Sequence, residues 1–279
     1  MGYFDMLFAP AKKKLKQFLA DDVGAGDRTS ALLPEKKCRA IITANENCVL
    51  AGAEEAAWLF SFQGCRVKQL KKDGAILRKG SKVLKLDGVN RKILSAERTS
   101  LNVLGRMSGV ATICSKAAAI AGENTKVFLT RKTMPGFNEF DKKACTFGGV
   151  FPHRKNLEEM ILLKENHLAF GSIQELIAKA REKKRKGEKI EVEVRTAGQA
   201  VEAAKNNADI VMLDNFSMKS TGKAIRKVKE INQKAVVELS GGITLKNLHS
   251  YVKLKPEMIS MGQLTKEAKT IDFSLEVVA

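Results

Sequence analysis

Aromatic residues are scarce in this sequence: one Trp and two Tyr stand beside 13 Phe in 279 residues. Proteins that grip single-stranded nucleic acid interleave stacking rings with basic residues, so the scarcity argues against that class. Cysteine is thin as well. Cys38, Cys48, Cys65, Cys114 and Cys145 are odd in number and widely spaced, with no CxxC pair. That pattern signals neither a zinc site nor a disulfide framework, and free thiols in a reducing cytoplasm are the expectation. No apolar run reaches the roughly 18 residues that a membrane span needs. The leading segment MGYFDMLFAPAKKKLKQF puts its apolar residues ahead of its lysines, the reverse of a secretory signal. It reads as a short apolar lead before an amphipathic helix. Gly2 lacks the Ser or Thr that N-myristoylation requires.

Acidic residues are outnumbered, 31 against 49 Lys and Arg, for a formal net charge of +18. The excess favours acidic partners, either nucleic acid or small phosphates and carboxylates. The densest basic run, REKKRKGEK at 181–189, interleaves glutamates and has no Trp or Tyr near it. It reads as the end of an exposed helix, which leaves nucleic acid the disfavoured partner.

What is present is an ordinary globular balance, 44% apolar and 29% charged. The first third is sheet-rich. CRAIITANENCVLAG (38–52) alternates loosely, and RVKQLKKDGAILRKGSKVLKLDG (66–88) predicts three short strands separated by Asp73-Gly74 and Lys79-Gly80 and closed by Asp87-Gly88. AGAEEAAWLFSFQG between them is a helix of strong formers. From about residue 92 apolar residues recur at helical spacing, with Gly105 and Gly109 permitting either close packing or a break. Short apolar strands then alternate with helices: KVFLT, MILLK, IEVEV, DIVMLD, AVVELS and MISMG. Six such units imply a parallel sheet, and their regularity suggests a barrel. The tail TIDFSLEVV reads as a last strand.

In such a barrel function gathers at the C-terminal ends of the strands. Those ends carry Thr130, Arg131 and Lys132, then Lys164, Glu193, Asp214, Ser240-Gly241-Gly242 and Gly262. The glycines let backbone N–H groups approach a phosphate. Glu193 and Asp214 are oxygen ligands that suit a Mg²⁺ shared with substrate phosphates; salt bridges to nearby cations are the plainer reading of the same two acids. Arginine recognises carboxylates in a bidentate fork and lysine acts as a point charge. Arg131, Lys132, Lys164 and the pair His153-Arg154 therefore point to a ligand with more than one anionic group. His167 and His249 read as structural.

Nine segments resemble, in order, the quinolinate phosphoribosyltransferases, a type II phosphoribosyltransferase family: DDVGAGDRTS, ERTSLNVLGRMSGVAT, TRKTMPG, GG…HR, LLKENH, IEVEV, VMLDNF, ELSGGI and MGQLT. The resemblance runs nearly the whole chain. It implies an N-terminal α/β sandwich domain (1–108, rejoined by 271–279) and a C-terminal open α/β barrel of about six parallel strands (109–270). It implies transfer of phosphoribosyl from phosphoribosyl pyrophosphate to quinolinate, with Mg²⁺, in a cytoplasmic homodimer or dimer-based hexamer. Arg98 would reach the partner subunit's site. Thr130 falls in the matched TRKT segment, and Arg131, Lys132, His153, Arg154 and Lys164 would line the diacid pocket. Glu193 and Asp214 would meet the ribose and Mg²⁺, directly or through water, and Ser240, Gly241, Gly242 and Gly262 would hold phosphate. Lys132, Glu193 and Asp214 are the expected catalytic residues. Two positions depart from the family pattern: Leu129 stands for the usual Asp and Pro152 for the usual Asn. A proline there is shared with a molybdenum-utilisation paralogue, so a different acceptor is the second reading.

Overall fold

The computed structural model describes residues 8–278, and the side chains of Phe8 and Ala9 are not described. The strands are β1 Lys37–Ala44, β2 Cys48–Val49, β3 Arg66–Gln69, β4 Ile76–Leu77, β5 Lys82–Val89, β6 Lys126–Leu129 and β7 Phe151–Pro152. They continue with β8 Ile161–Leu163, β9 Ile190–Val194, β10 Ile210–Asp214, β11 Val236–Ser240, β12 Met258–Met261 and β13 Phe273–Val278. The helices are α1 Phe8–Val23, α2 Ala53–Phe62, α3 Asn90–Ala121, α4 Asn138–Phe147 and α5 Glu165–Leu168. After them come α6 Ile173–Lys183, α7 Ala197–Lys205, α8 Met218–Ile231, α9 Leu248–Val252 and α10 Gln263–Lys266. No described helix is long and apolar enough to cross a membrane.

The chain forms two compact units. One takes the chain up to Ser115, Thr133–Gly149 and everything from Glu267 onward; the other takes Lys116–Lys132 and Val150–Lys266. No single cut in the chain produces that grouping. In the first unit an antiparallel sheet runs β13-β1-β5-β3. Ala40, Ile42 and Ala44 of β1 are fully buried and alternate with more open residues, the pattern of a sheet with one covered face. The segment Thr133–Gly149 is held here by charge: Arg106 donates twice to the buried Asp141, at 3.0 and 2.8 Å, and Lys143 pairs with Glu54 and Glu55. The Lys142-Lys143 pair thus serves the interior of this unit.

Helix α3 runs unbroken through Gly105 and Gly109. Both are needed for close approach. A Cβ on Gly109 would lie 2.0 Å from the carbonyl oxygen of Lys269, and one on Gly105 2.6 Å from that of Ile271.

The second unit is a parallel sheet of seven strands, ordered β7-β6-β12-β11-β10-β9-β8. Its ends β7 and β8 have no mutual pairing in that order, so the cylinder is open. All five residues of β9 are buried, as expected for a parallel strand covered on both faces. The seventh strand, beyond the six anticipated, is the two-residue β7, whose Pro152 stands opposite Leu129. A proline is tolerated there because β7 is an edge strand. The chain near His153 is therefore a parallel edge strand, and the N–H of His153 donates to the carbonyl of Leu129 at 3.3 Å.

Candidate active site

The C-terminal ends of the parallel strands surround a pocket of about 460 Å³. Thr130, Arg131, Lys132, His153, Arg154, Lys164, Glu193, Asp214, Ser240, Gly241 and Gly242 all line it. Side chains two apart on a strand share a face, so the layer beneath the mouth is equally fixed. Leu162 lies below Lys164, Met212 below Asp214, and Ser260 below the Gly262 level; all three also line the cavity.

One wall is cationic. Among the described residues the guanidinium of Arg131 and the ammonium of Lys132 have no recorded ion pair. Lys132 is seated by its backbone: its N–H donates to Thr130 Oγ1 at 3.3 Å, and Thr265 Oγ1 donates to its carbonyl at 2.7 Å. Arg154 is anchored by one bond from Nη1 to the Met160 carbonyl, 3.1 Å. Burial first, and then the charge of Arg131, push the Arg154 pKa down, against Glu191 and Glu193. Two arginines that repel each other in a half-enclosed cavity form an anion site.

The opposite wall is acidic and partly neutralised. Lys164 Nζ donates to Glu193 Oε2. Asn215 Nδ2 donates to Asp214 Oδ2 at 2.7 Å, and Arg195 Nε lies 3.8 Å from the same oxygen. Among the described residues neither acid has a hydrogen bond at its second oxygen, Glu193 Oε1 or Asp214 Oδ1. Two hard carboxylate oxygens on one pocket wall fit a magnesium ion shared with phosphates.

The glycines divide. Gly241 and Gly242 carry φ of +88° and +63°, a left-handed turn that side-chain-bearing residues rarely adopt. Gly262 is not in the wall; a Cβ there would come 3.2 Å from Lys132 Cδ and 3.9 Å from its Nζ. Its bareness makes room for the lysine. Arg98 is exposed on α3, in the other compact unit, and does not line this pocket. His167 is structural: its Nδ1 accepts the N–H of Lys164 at 2.8 Å.

Four residues escaped the strand-end reading. Arg195 and Asn215 line the pocket one residue beyond β9 and β10. Glu191 and Glu238, both fully buried, lie below it, with Oε2 atoms 3.3 and 3.5 Å from His153 Nε2. Glu191 sits two residues before Glu193 and Glu238 two before Ser240, so the period of two could have found them. In the neutral ring, His153 Nδ1 accepts the N–H of Arg154 at 2.9 Å and the proton is on Nε2, facing the acids; in the protonated ring both nitrogens carry hydrogen and that bond is given up. Burial opposes a charge on His153, but hydrogen bonds and charge from Glu191 and Glu238 outweigh it and lift its pKa to about 9. Burial and then Glu238 raise Glu191 to about 7. His153 and Glu191 each hold a proton more tightly than they would in water.

The family described as quinolinate phosphoribosyl transferase matches through its N-terminal domain at residues 27–108 and its C-terminal domain at 110–276. A probable nicotinate-nucleotide pyrophosphorylase [carboxylating] of Methanocaldococcus jannaschii is 38% identical over 282 residues, covering 98% of this chain and 99% of that one. The human nicotinate-nucleotide pyrophosphorylase [carboxylating] is 35% identical, covering 86% of this chain and 82% of its own. The solved nicotinate-nucleotide pyrophosphorylase from Francisella tularensis superposes with a TM-score of 0.88 at 33% identity, over 96% of both chains. With both domains matched from residue 27 to 276, the chain belongs to the quinolinate phosphoribosyl transferase family.

Proposed function

We propose that this chain transfers the phosphoribosyl group of phosphoribosyl pyrophosphate to quinolinate, with decarboxylation, and so makes nicotinate mononucleotide, pyrophosphate and CO₂ for NAD biosynthesis. The observation that carries the reading is the pair Arg131 and Lys132, without an ion pair among the described residues, lining one pocket with Arg154, Glu193 and Asp214.

The pyridine dicarboxylate lies against Arg131, Lys132 and Arg154, which neutralise its two carboxylates and aim its ring nitrogen at C1 of the ribose. The N–C1 bond forms as the C1–O bond to pyrophosphate breaks, through a ribosyl centre with cationic character. Glu193 and Asp214 stabilise that charge electrostatically. Ser240, Gly241 and Gly242 form the phosphate cradle, and Gly262 contributes by seating Lys132. The pyridinium then accepts the electrons of the C2–carboxylate bond as CO₂ departs, and C2 takes a proton. Positioning and charge do the work, and no covalent nucleophile is needed. Glu193 and Asp214 are the residues that would hold Mg²⁺, directly or through water; when bound, the ion neutralises the leaving pyrophosphate.

Neither departure from the family pattern reaches the pocket lining. Leu129 is fully buried and Pro152 lies on the edge strand, and neither lines the pocket. The pocket thus gives no support to a changed acceptor. The cations converge into a cavity, which also disfavours nucleic acid as the ligand.

The functional unit is a homodimer, alone or as part of a hexamer, in which Arg98 completes the pocket of the partner subunit. Its exposure on α3 and its absence from this chain's own pocket support that role. The free cysteines fit a reducing cytoplasm. Lys132→Ala tests the pocket: turnover of quinolinate should vanish while circular dichroism and melting stay unchanged. Near-full activity would make the pocket assignment wrong.

A further inference from the structure

The acid wall poses a charge problem. The sugar diphosphate is the more highly charged of the two substrates, yet its side of the pocket carries Glu193 and Asp214. Lys164 is already committed to Glu193. Among the described residues lining that side, the remaining cation is Arg195, one residue past the end of β9.

Arg195 is built as a fixed base with a movable tip. Its N–H donates to Gln199 Oε1 at 3.0 Å, and its neighbour Thr196 caps α7 by accepting the N–H of Gln199. The guanidinium instead reaches out to two acids: Nη1 pairs with Glu165 Oε2, and Nε lies 3.8 Å from Asp214 Oδ2. The Arg195 side chain is 53% exposed and that of Glu165 42%. Ion pairs this open to water are weak and readily exchanged. A diphosphate offers the same planar fork several oxygens in place of one carboxylate.

We infer that Arg195 is a diphosphate-binding residue of this site, held across the mouth by Glu165 and Asp214 and exchanged onto the pyrophosphate moiety when the sugar diphosphate enters. The inference rests on the phosphoribosyl-transfer reading. It assigns Arg195 a job that Arg131, Lys132 and Arg154 do not do, because those face the diacid. Glu165 becomes a competitor for the guanidinium, so removing it acts in the opposite direction.

The test measures binding of inorganic pyrophosphate to the intact protein by calorimetry, together with steady-state kinetics. Arg195→Ala should weaken pyrophosphate binding and raise the KM for phosphoribosyl pyrophosphate by about tenfold, the loss of one exposed charge-assisted contact. The KM for quinolinate should stay within about twofold of wild type, a change worth less than half of that tenfold step. Arg195→Lys should fall between, since it keeps charge and loses the fork. Glu165→Gln should tighten pyrophosphate binding. Equal pyrophosphate binding by wild type and Arg195→Ala, both active, would overturn the role of Arg195 and leave the reaction standing. A wild-type protein that neither binds pyrophosphate nor turns over would overturn both.

Discussion

Gly241→Ala is the substitution whose cost the structure fixes most closely. At φ of +88° an added Cβ would lie 2.4 Å from Cγ and Oδ1 of Asn215 and 2.6 Å from its backbone nitrogen. The backbone contact cannot swing aside. Asn215 is itself left-handed, with φ of +57°, and its N–H donates to the Ser240 carbonyl at 2.9 Å. The left-handed residue alone costs an L side chain about 1–2 kcal/mol. Displacing Asn215 adds about 1 kcal/mol for its backbone hydrogen bond and about 1–2 kcal/mol of overpacking. The expected loss is therefore about 3–5 kcal/mol, read by far-ultraviolet circular dichroism in a urea titration. Gly242→Ala is the control: φ is +63° but nothing lies within 4 Å of the added Cβ, so only the conformational cost of about 1–2 kcal/mol applies. Asn215 also orients Asp214 through Nδ2, so Gly241→Ala should raise the KM for phosphoribosyl pyrophosphate and Gly242→Ala should do so less. Equal stability and equal kinetics in the two variants would refute the reasoning.

Further outcomes follow from other parts of the molecule. Gly109→Ala places a methyl 2.0 Å from the Lys269 carbonyl oxygen and should destabilise the first unit by about 3 kcal/mol or more, since backbone must move; the fluorescence of Trp58, which lies in that unit, reads it. Arg98→Ala and Lys132→Ala should each be inactive, yet refolded together they should recover about a quarter of wild-type activity, because half the dimers are hybrids with one intact site. No recovery would place Arg98 outside the partner's site. Buried His153 and Glu191 set a pH dependence. Glu191, raised from 4.5 to about 7, loses its contribution to stability as pH rises between those values, and His153, raised from 6.5 to about 9, loses its contribution between those two. Both folded pKa values lie above the unfolded ones, so stability should fall with rising pH across this span. The denaturation midpoint of Glu191→Gln should depend less on pH between 4.5 and 7; an unchanged profile would sink the assignment.

Much of the architecture was legible because it follows local rules. Buried parallel strands read as apolar runs, and strand ends announce a pocket, which is how Thr130, Lys164, Glu193, Asp214 and Ser240 could be picked out by position. What escaped was non-local. Strand β7 is two residues long and contains a proline; it exists through pairing with β6, a contact no propensity encodes. Asn215 lies in the segment VMLDNF, but its work depends on a left-handed φ and on the bare face of Gly241. Arg195 lies one step past a strand whose end was read at Val194. Gly262 has its neighbour in Lys132, more than a hundred residues away in sequence, which is why a glycine read as part of a phosphate cradle is found beneath a lysine.

One measurement bears on the whole account: purified protein, phosphoribosyl pyrophosphate and Mg²⁺ incubated with quinolinate labelled in its 2-carboxylate, or with nicotinate. Labelled CO₂ and pyrophosphate should appear together, one for one, with quinolinate, and neither should appear with nicotinate. Pyrophosphate released without CO₂, or no reaction with quinolinate at all, would contradict it.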